Sequence, residues 1–360
     1  MYTGSSMPKK IEATTQIQGP PSTLVELFPL FYREKSKLKH VTPTTLKGYR
    51  HIIHWIFWLH DQRGIDRPDE MGHVDCVDHL IEYGDKGGRT HPDGTPWPVT
   101  DASVRQRRIN IVMFENWLVN SGYASNTPMR LTTAPGRKSP KKMPTPIGDI
   151  DKILAVLDGE PSAPRDSSFL LASLDLGSRP SETLRLDISD IDLPTRTVHF
   201  RAENTKTQTA RVGFLTEYTA AVLGWYWQRY GMTAGPAFAA IHTNGGERWR
   251  YEAMRRQMMD LSERAKLEHH LEAHSIRRAF ATWMAVKIPM HAVALLLGHS
   301  LEGALGVTSR YVSLTEDQLW EFHAANSPVL ALKWVQELES IRWPDGGGLV
   351  PPIKCALRST

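Results

Sequence analysis

Cysteine is nearly missing from this chain. Cys76 and Cys355 are the only two in 360 residues, and they lie far apart. That excludes a disulfide framework and a cysteine-based zinc site, and it favours a reducing compartment. No apolar run approaches the ~18 residues of a membrane span. Lys9 and Lys10 are followed by no apolar stretch, so secretion is not expected. Gly-x-x-x-x-Gly-Lys-Ser/Thr, Gly-x-Ser-x-Gly and His-Glu-x-x-His are all absent. The common ATPase, hydrolase and zincin chemistries therefore have no support.

What is present suits two globular domains. Hydrophobic residues make up 41% and charged residues 23%, enough apolar material for real cores. The formal net charge is +4, unevenly spread: residues 1–143 carry +6 and residues 144–360 carry −2. A basic first part is compatible with a polyanionic partner, and equally with an ordinary solvated surface.

The pattern along the chain reads as mainly α with a small β-sheet. Residues 1–20 are polar and aperiodic, and are expected to be flexible. Residues 21–130 read as a helical domain. Leu24, Leu27, Phe28 and Phe31 form one stripe. Thr42-Pro43 opens a second helix carrying Leu46, Tyr49, Ile52, Ile53, Ile56 and Phe57. A short third helix spans Asp75 to Tyr83. Thr100-Asp101 caps a fourth with Val104, Ile109, Val112, Phe114 and Leu118 inward. Residues 131–147, with four prolines plus Arg137, Lys138, Lys141 and Lys142, form a basic linker. A second domain covers 148–325, mostly helical, with a hairpin from Thr197–Phe200 and Arg211–Leu215 around a polar turn holding Lys206. Residues 326–360 supply a C-terminal helix and tail. Amphipathic stretches at Glu316–Phe322 and Val329–Leu338 pack either in cis or on a neighbouring copy.

Individually, the chemistry-bearing residues are weak signals. His274-Ser-Ile-Arg277 puts two side chains on one helix face, yet chance alone yields about one such pair in a chain this rich in His and Arg. Leu295-Leu-Leu-Gly298-His299 ends an apolar helix with a glycine that can take the left-handed stop conformation. Tyr311 follows twelve residues later and is the only tyrosine after His299. Arg179, between Gly-Ser and Pro, starts a helix, where its charge opposes the helix dipole. Glu182 stands three residues on.

In this order, Arg179, Lys206, His274-x-x-Arg277, Gly298-His299 and Tyr311 resemble the tyrosine recombinases, the phage-integrase family of DNA strand-exchange enzymes. The resemblance implies an N-terminal SAM-like helical core-binding domain and a mixed α/β tyrosine-recombinase catalytic domain. It makes Tyr311 the nucleophile of a 3′-phosphotyrosyl link, Arg179 and Arg277 a clamp on the phosphate, and His274 the acceptor of the tyrosine proton. Lys206 becomes the general acid, His299 a hydrogen-bond donor to the phosphate, and Glu182 a support for Arg179 or His274. A guanidinium fork suits two phosphate oxygens, and a phenol with a pKa of about 10 needs cationic help to attack at neutral pH. The spacing from His299 to Tyr311 exceeds the usual family spacing, with Glu302-Gly-Ala-Leu-Gly306 as the extra material.

The resemblance further implies double-stranded DNA with paired sites as partner, a homotetramer on DNA that is a monomer or weak oligomer when free, and accessory directionality or DNA-bending factors. It implies neither cofactor nor metal. The location expected is the bacterial cytoplasm, at the nucleoid when bound. DNA contacts are expected from Thr42, Lys47, Arg105, Arg107 and Arg108 in the first domain and from Lys138, Lys141 and Lys142 in the linker. A mobile-element integrase is the expected role. A type IB topoisomerase and an inactive DNA-binding protein of the same fold are the rivals, with a metal-dependent nuclease behind them.

Overall fold

A computed structural model describes residues 22–37, 41–87, 91, 93–95, 99–133, 143–157, 160–205, 209–240, 246–299 and 314–339. Two compact units divide the chain, residues 1–140 and 141–360.

The first unit is helical: α1 (Leu24–Lys37), α2 (Pro43–Tyr49), α3 (Ile52–Arg63), α4 (His73–Lys86), α5 (Asp101–Asn120) and α6 (Pro128–Leu131). Thr42 and Thr100 cap α2 and α5, accepting from the N–H groups of Thr45 at 3.2 Å and Ser103 at 3.3 Å. The core is aromatic, with the Phe31 ring 5.2 Å from both Tyr49 and Phe114. Two expectations need correction. The helix expected from Leu46 through Phe57 is two helices, broken at Arg50–His51. There the Gly48 carbonyl takes the His51 N–H and the Asn110 side chain of α5. Phe57 and Ile109 are half-exposed, at 50% and 43%. The buried stripe of α5 runs instead through Val104, Ile111, Phe114, Trp117 and Leu118, and Ile109 falls on the far side of that helical turn. Both Glu115 carboxylate oxygens accept from the Met129 N–H, which fixes the start of α6.

The second unit is built around α8 (Ala163–Leu176), every residue of which is buried. It packs against α10 (Glu217–Arg229) and α12 (Ala273–Ala285). Around them lie α7 (Ile147–Val156), α9 (Pro180–Leu184), α11 (Tyr251–Arg264) and α13 (Met290–Leu297). The hairpin forms at its expected place as β2 (Thr197–Phe200) and β3 (Arg211–Phe214), antiparallel, with Phe200 opposite Arg211. A two-residue strand that sequence patterning did not reveal, β1 (Ile191–Asp192), completes a three-stranded sheet of order β1-β2-β3.

Two further helices close the unit: α14 (Glu316–Asn326) and α15 (Lys333–Glu339). Val329–Leu338 is not one helix, because a 3-10 turn over Pro328–Ala331 precedes α15. Both pack in cis. His323 of α14 reaches the buried Asp175 carboxylate at 3.1 Å, and the Ser327 hydroxyl and the Thr216 N–H and hydroxyl fill its remaining lone pairs. These partners, His323 foremost, hold the Asp175 carboxyl below its ordinary range against the opposing push of burial. No described helix is long and apolar enough to cross a membrane.

Candidate active site

Two helix ends and one helix start converge in the second unit. Gly177 stops α8 in the left-handed conformation at φ 53°, and a Cβ there would fall 2.3 Å from the Phe280 ring. Gly298 stops α13 the same way at φ 68°. Each stop leaves carbonyls without a helical partner. Arg277, in the second turn of α12 and 9% exposed, donates to Gly177 O at 2.8 Å and to Leu297 O at 3.0 Å. A cation at two helix C-termini is favoured by both dipoles. This explains how a guanidinium tolerates burial without a carboxylate hydrogen-bonded to it. Burial, then Arg179 and Arg211, pull its pKa down to about 10, so it stays charged at neutral pH.

The third donation of Arg277 goes to His299 Nε2, at 2.8 Å. Guanidinium cannot accept, so Nε2 does, and the His299 proton sits on Nδ1. Burial, with Arg277, Arg179 and Arg211, holds this imidazole below its usual pKa and keeps it neutral. His274, one turn before Arg277 and exposed on the same helix, is likewise held low by burial and by Arg277, Arg278 and Arg179. A neutral imidazole is the form able to accept a proton.

Arg179 precedes the first turn of α9, where Pro180 needs no donor partner. Its guanidinium reaches Glu182 Oε1 at 2.7 Å, and its own N–H meets Glu182 Oε2 at 3.3 Å. Glu182 is 1% exposed. Burial raises its pKa, but the Arg179 hydrogen bond and the Arg211 charge outweigh that, so it stays ionised below the ordinary carboxylate range. Arg179, Glu182, Arg277, His299 and His274 thus form one electrostatically coupled group. Glu182 is hydrogen-bonded to Arg179. Lys206 and Tyr311 lie outside the described residues, as do Lys138, Lys141 and Lys142.

Sequence reasoning missed Arg211. This β3 residue donates to Glu182 Oε2 at 3.2 Å and sits over Phe200, its Cζ 3.8 Å from the ring centre. The one available signal was its register opposite Phe200, which a hairpin reading does not weigh. Three guanidiniums therefore gather around a single carboxylate, leaving an excess of positive charge suited to an anion with several oxygens.

In the first unit, Thr42 and Lys47 are exposed and Arg105 is half-buried. Arg107 and Arg108 turn inward. Arg107 donates to His79 Nε2 at 3.2 Å and covers Tyr83. Arg108 ties down the end of α6 through Arg130 O and Thr132. Among the described residues no group of three or more His, Cys, Asp or Glu is arranged to hold a metal.

A guanidinium cluster of this kind suits a phosphodiester, an anion that offers two non-bridging oxygens. Residues 148–317 match the phage integrase family model. Tyrosine recombinase XerC of Chromohalobacter salexigens is 27% identical over 267 residues, 72% of this chain and 83% of that protein. Its Salmonella typhi counterpart is 25% identical over 302 residues, 83% and 94% of the two chains. Among solved structures, a lambda integrase fragment, a dimer bound to a COC′ core site, superposes with a TM-score of 0.60 at 17% identity, covering 77% of this chain and 95% of that one. The Tn1549 transposon integrase, in complex with a circular intermediate DNA, gives 0.61 at 16% identity, covering 83% and 97%. Residues 148–317 are a phage integrase family domain, and similarity to tyrosine recombinases, site-specific enzymes that cleave and rejoin DNA, extends over most of the chain.

Proposed function

We propose that the chain recombines paired duplex DNA sites through a covalent 3′-phosphotyrosyl intermediate, as the integrase of a mobile element. Tyr311 Oη attacks the scissile phosphorus, and His274 takes its proton. The bond from phosphorus to the 5′ oxygen breaks as Lys206 delivers a proton to that oxygen. Arg179 and Arg277 hold the non-bridging oxygens while charge builds on them, and His299 donates from Nδ1. The ester preserves the energy of the broken bond. Rejoining is the reverse attack by a 5′ hydroxyl and needs neither nucleotide nor metal.

One observation carries this reading: a buried Arg277 that spends three donors on Gly177, Leu297 and His299 while facing the Arg179–Glu182 pair. Such a frame holds a charge in place without a metal. The first unit serves as the DNA-binding domain, with Lys47 and Arg105 on phosphates, Thr42 at the exposed cap of α2, and Lys138, Lys141 and Lys142 along the linker. Arg107 and Arg108 shape its surface from within. On DNA the protein assembles as a tetramer, and binding weakens steeply with salt. The mobile-element role rests on chain length beyond a minimal resolvase.

The test is trapping on nicked suicide duplexes drawn from DNA flanking the coding region, with EDTA present. A covalent protein–DNA adduct forms with the native chain and is lost in Tyr311→Phe. No adduct from any duplex, or an adduct that survives Tyr311→Phe, refutes the proposal.

A further inference from the structure

Arg211 belongs to no motif that identified the site, yet the fold spends several features on it. Its side chain is 11% exposed and lies against Glu182, itself almost fully buried. One terminal nitrogen donates to Glu182 Oε2, while Arg179 holds Oε1. The guanidinium carbon sits over the Phe200 ring, 3.8 Å from its centre. Its Nε is buried and has no hydrogen-bond partner among the described residues. A buried donor left unpaired costs free energy, so some gain must offset it.

Gly298 adds a second, independent constraint. A Cβ at that position would stand 2.7 Å from Arg211 Cδ, 2.8 Å from Nε and 3.2 Å from Cζ. The backbone turn that delivers His299 therefore runs directly over the arginine stem. That turn tolerates only glycine, because of its positive φ and because of the arginine beneath it. Arg211 is thus wedged between two parts of the site that no other described side chain joins in this way: the carboxylate that orients Arg179, and the corner that presents His299.

We propose that Arg211 is a positioning residue for strand cleavage, locking Glu182 against Arg179 and supporting the Gly298–His299 corner from below. The inference rests on the strand-cleavage reading above. Arg211 need not touch DNA. It fixes where two phosphate-facing groups stand, and it replaces the water that would otherwise solvate Glu182. The charged groups around His299 are Arg277 from α12, Arg179 before α9, Arg211 from β3 and Glu182 from α9. Removing Arg211 takes away one of three positive neighbours, so the imidazole should take up a proton at higher pH than in the native chain.

The experiment is single-turnover cleavage of a nicked suicide duplex by the full chain, from pH 5.5 to 8.5, for native protein, Arg211→Met, Arg211→Lys, Glu182→Gln and the double variant Arg211→Met/Glu182→Gln. Circular dichroism and DNA affinity are measured alongside. Supporting partners of reactive groups are typically worth about 10–100-fold in rate. Arg211→Met should slow cleavage by that factor with affinity for DNA unchanged, and the acid limb of its profile should move to higher pH. Arg211→Lys keeps the charge and should restore the position of the acid limb, and part of the rate. The double variant should lose less than the product of the two single penalties, because both changes release the same carboxylate link. Arg211→Met that cleaves at the native rate with the native profile overturns the proposal. So does a folded variant slowed equally at every pH, with Arg211→Lys no better, which is the mark of a merely structural residue. If Arg211→Met does not fold, the Arg211→Lys profile decides alone: an acid limb in the native place with a reduced rate supports positioning, and a native rate overturns it. A native chain that forms no adduct refutes the strand-cleavage reading itself, which keeps the two failures apart.

Discussion

Replacing Gly177 by alanine tests how the end of α8 builds the site. Two costs are expected. A non-glycine residue held in the left-handed region at φ 53° costs about 1–2 kcal/mol. The added methyl would also meet the Phe280 ring at 2.3 Å, and overpacking of this kind costs about 1–3 kcal/mol. Together they give about 2–5 kcal/mol. At roughly 2–4 °C per kcal/mol for a unit of this size, Tm should fall by about 4–20 °C. Gly231 supplies the control. It too is left-handed, at φ 62°, but a Cβ there meets nothing within 4 Å. Gly231→Ala should therefore show the backbone cost alone, about 1–2 kcal/mol. Urea titration followed by tryptophan fluorescence measures both, since Trp227 and Trp249 are buried in the same unit. Because Gly177 O anchors Arg277, Gly177→Ala should also slow DNA cleavage while Gly231→Ala does not. Equal destabilisation by the two substitutions would refute the steric argument, and native cleavage by Gly177→Ala would refute the link to Arg277.

Other outcomes follow from the same geometry. Asp175→Ala strands His323 and three hydrogen-bond donors in the core, and loss of one partner of such a pair costs about 3–5 kcal/mol in denaturant titration. In the first unit, burial pushes the Glu115 carboxyl up to about 7, above its unfolded value near 4.5. The folded state then binds more protons between those values, so this group's contribution is favourable below pH 4.5 and is lost as pH rises through 7. His79 behaves oppositely: burial, then Arg107, lower it to about 3, so its contribution is complete above about 6.5 and is lost as pH falls toward 3. Glu115→Gln removes the opposing uptake, and the unfolding free energy should drop by roughly 2 kcal/mol more between pH 7 and pH 5 than it does in the native chain. An unchanged pH dependence would contradict the buried carboxyl. Arg108→Ala should loosen the end of α6, since three of its hydrogen bonds end on Arg130 and Thr132, and hydrogen exchange at Thr132 should speed up.

Much of this fold is legible because its signals are local. The hairpin at Thr197–Phe200 and Arg211–Phe214, the threonine caps at Thr42 and Thr100, and the Gly298 stop all follow from short-range chemistry. Of the candidate site, Arg179, Glu182, His274, Arg277 and His299 stand out only as an ordered combination, since each member alone is common, and the structure brings these five together. What stayed hidden depends on tertiary contact. The break between α2 and α3 needs Asn110 from a helix sixty residues away. The inward turn of Arg107 needs His79 and Tyr83. Arg211 looks like a solvated strand residue until Glu182, Phe200 and Gly298 close around it. Strand β1, two residues long, is too short to leave a periodic mark.

The central claim is that guanidinium groups in this pocket stabilise charge as it builds on a DNA phosphate. It is tested most directly by pairing an arginine deletion with a substrate that lacks the charge. Cleavage by the native chain and by Arg277→Ala is measured on a scissile phosphate and on the neutral methylphosphonate at the same position. The account predicts a penalty of about 10²–10³ for Arg277→Ala on the phosphate, and a far smaller one on the methylphosphonate. The same penalty on both substrates would contradict it.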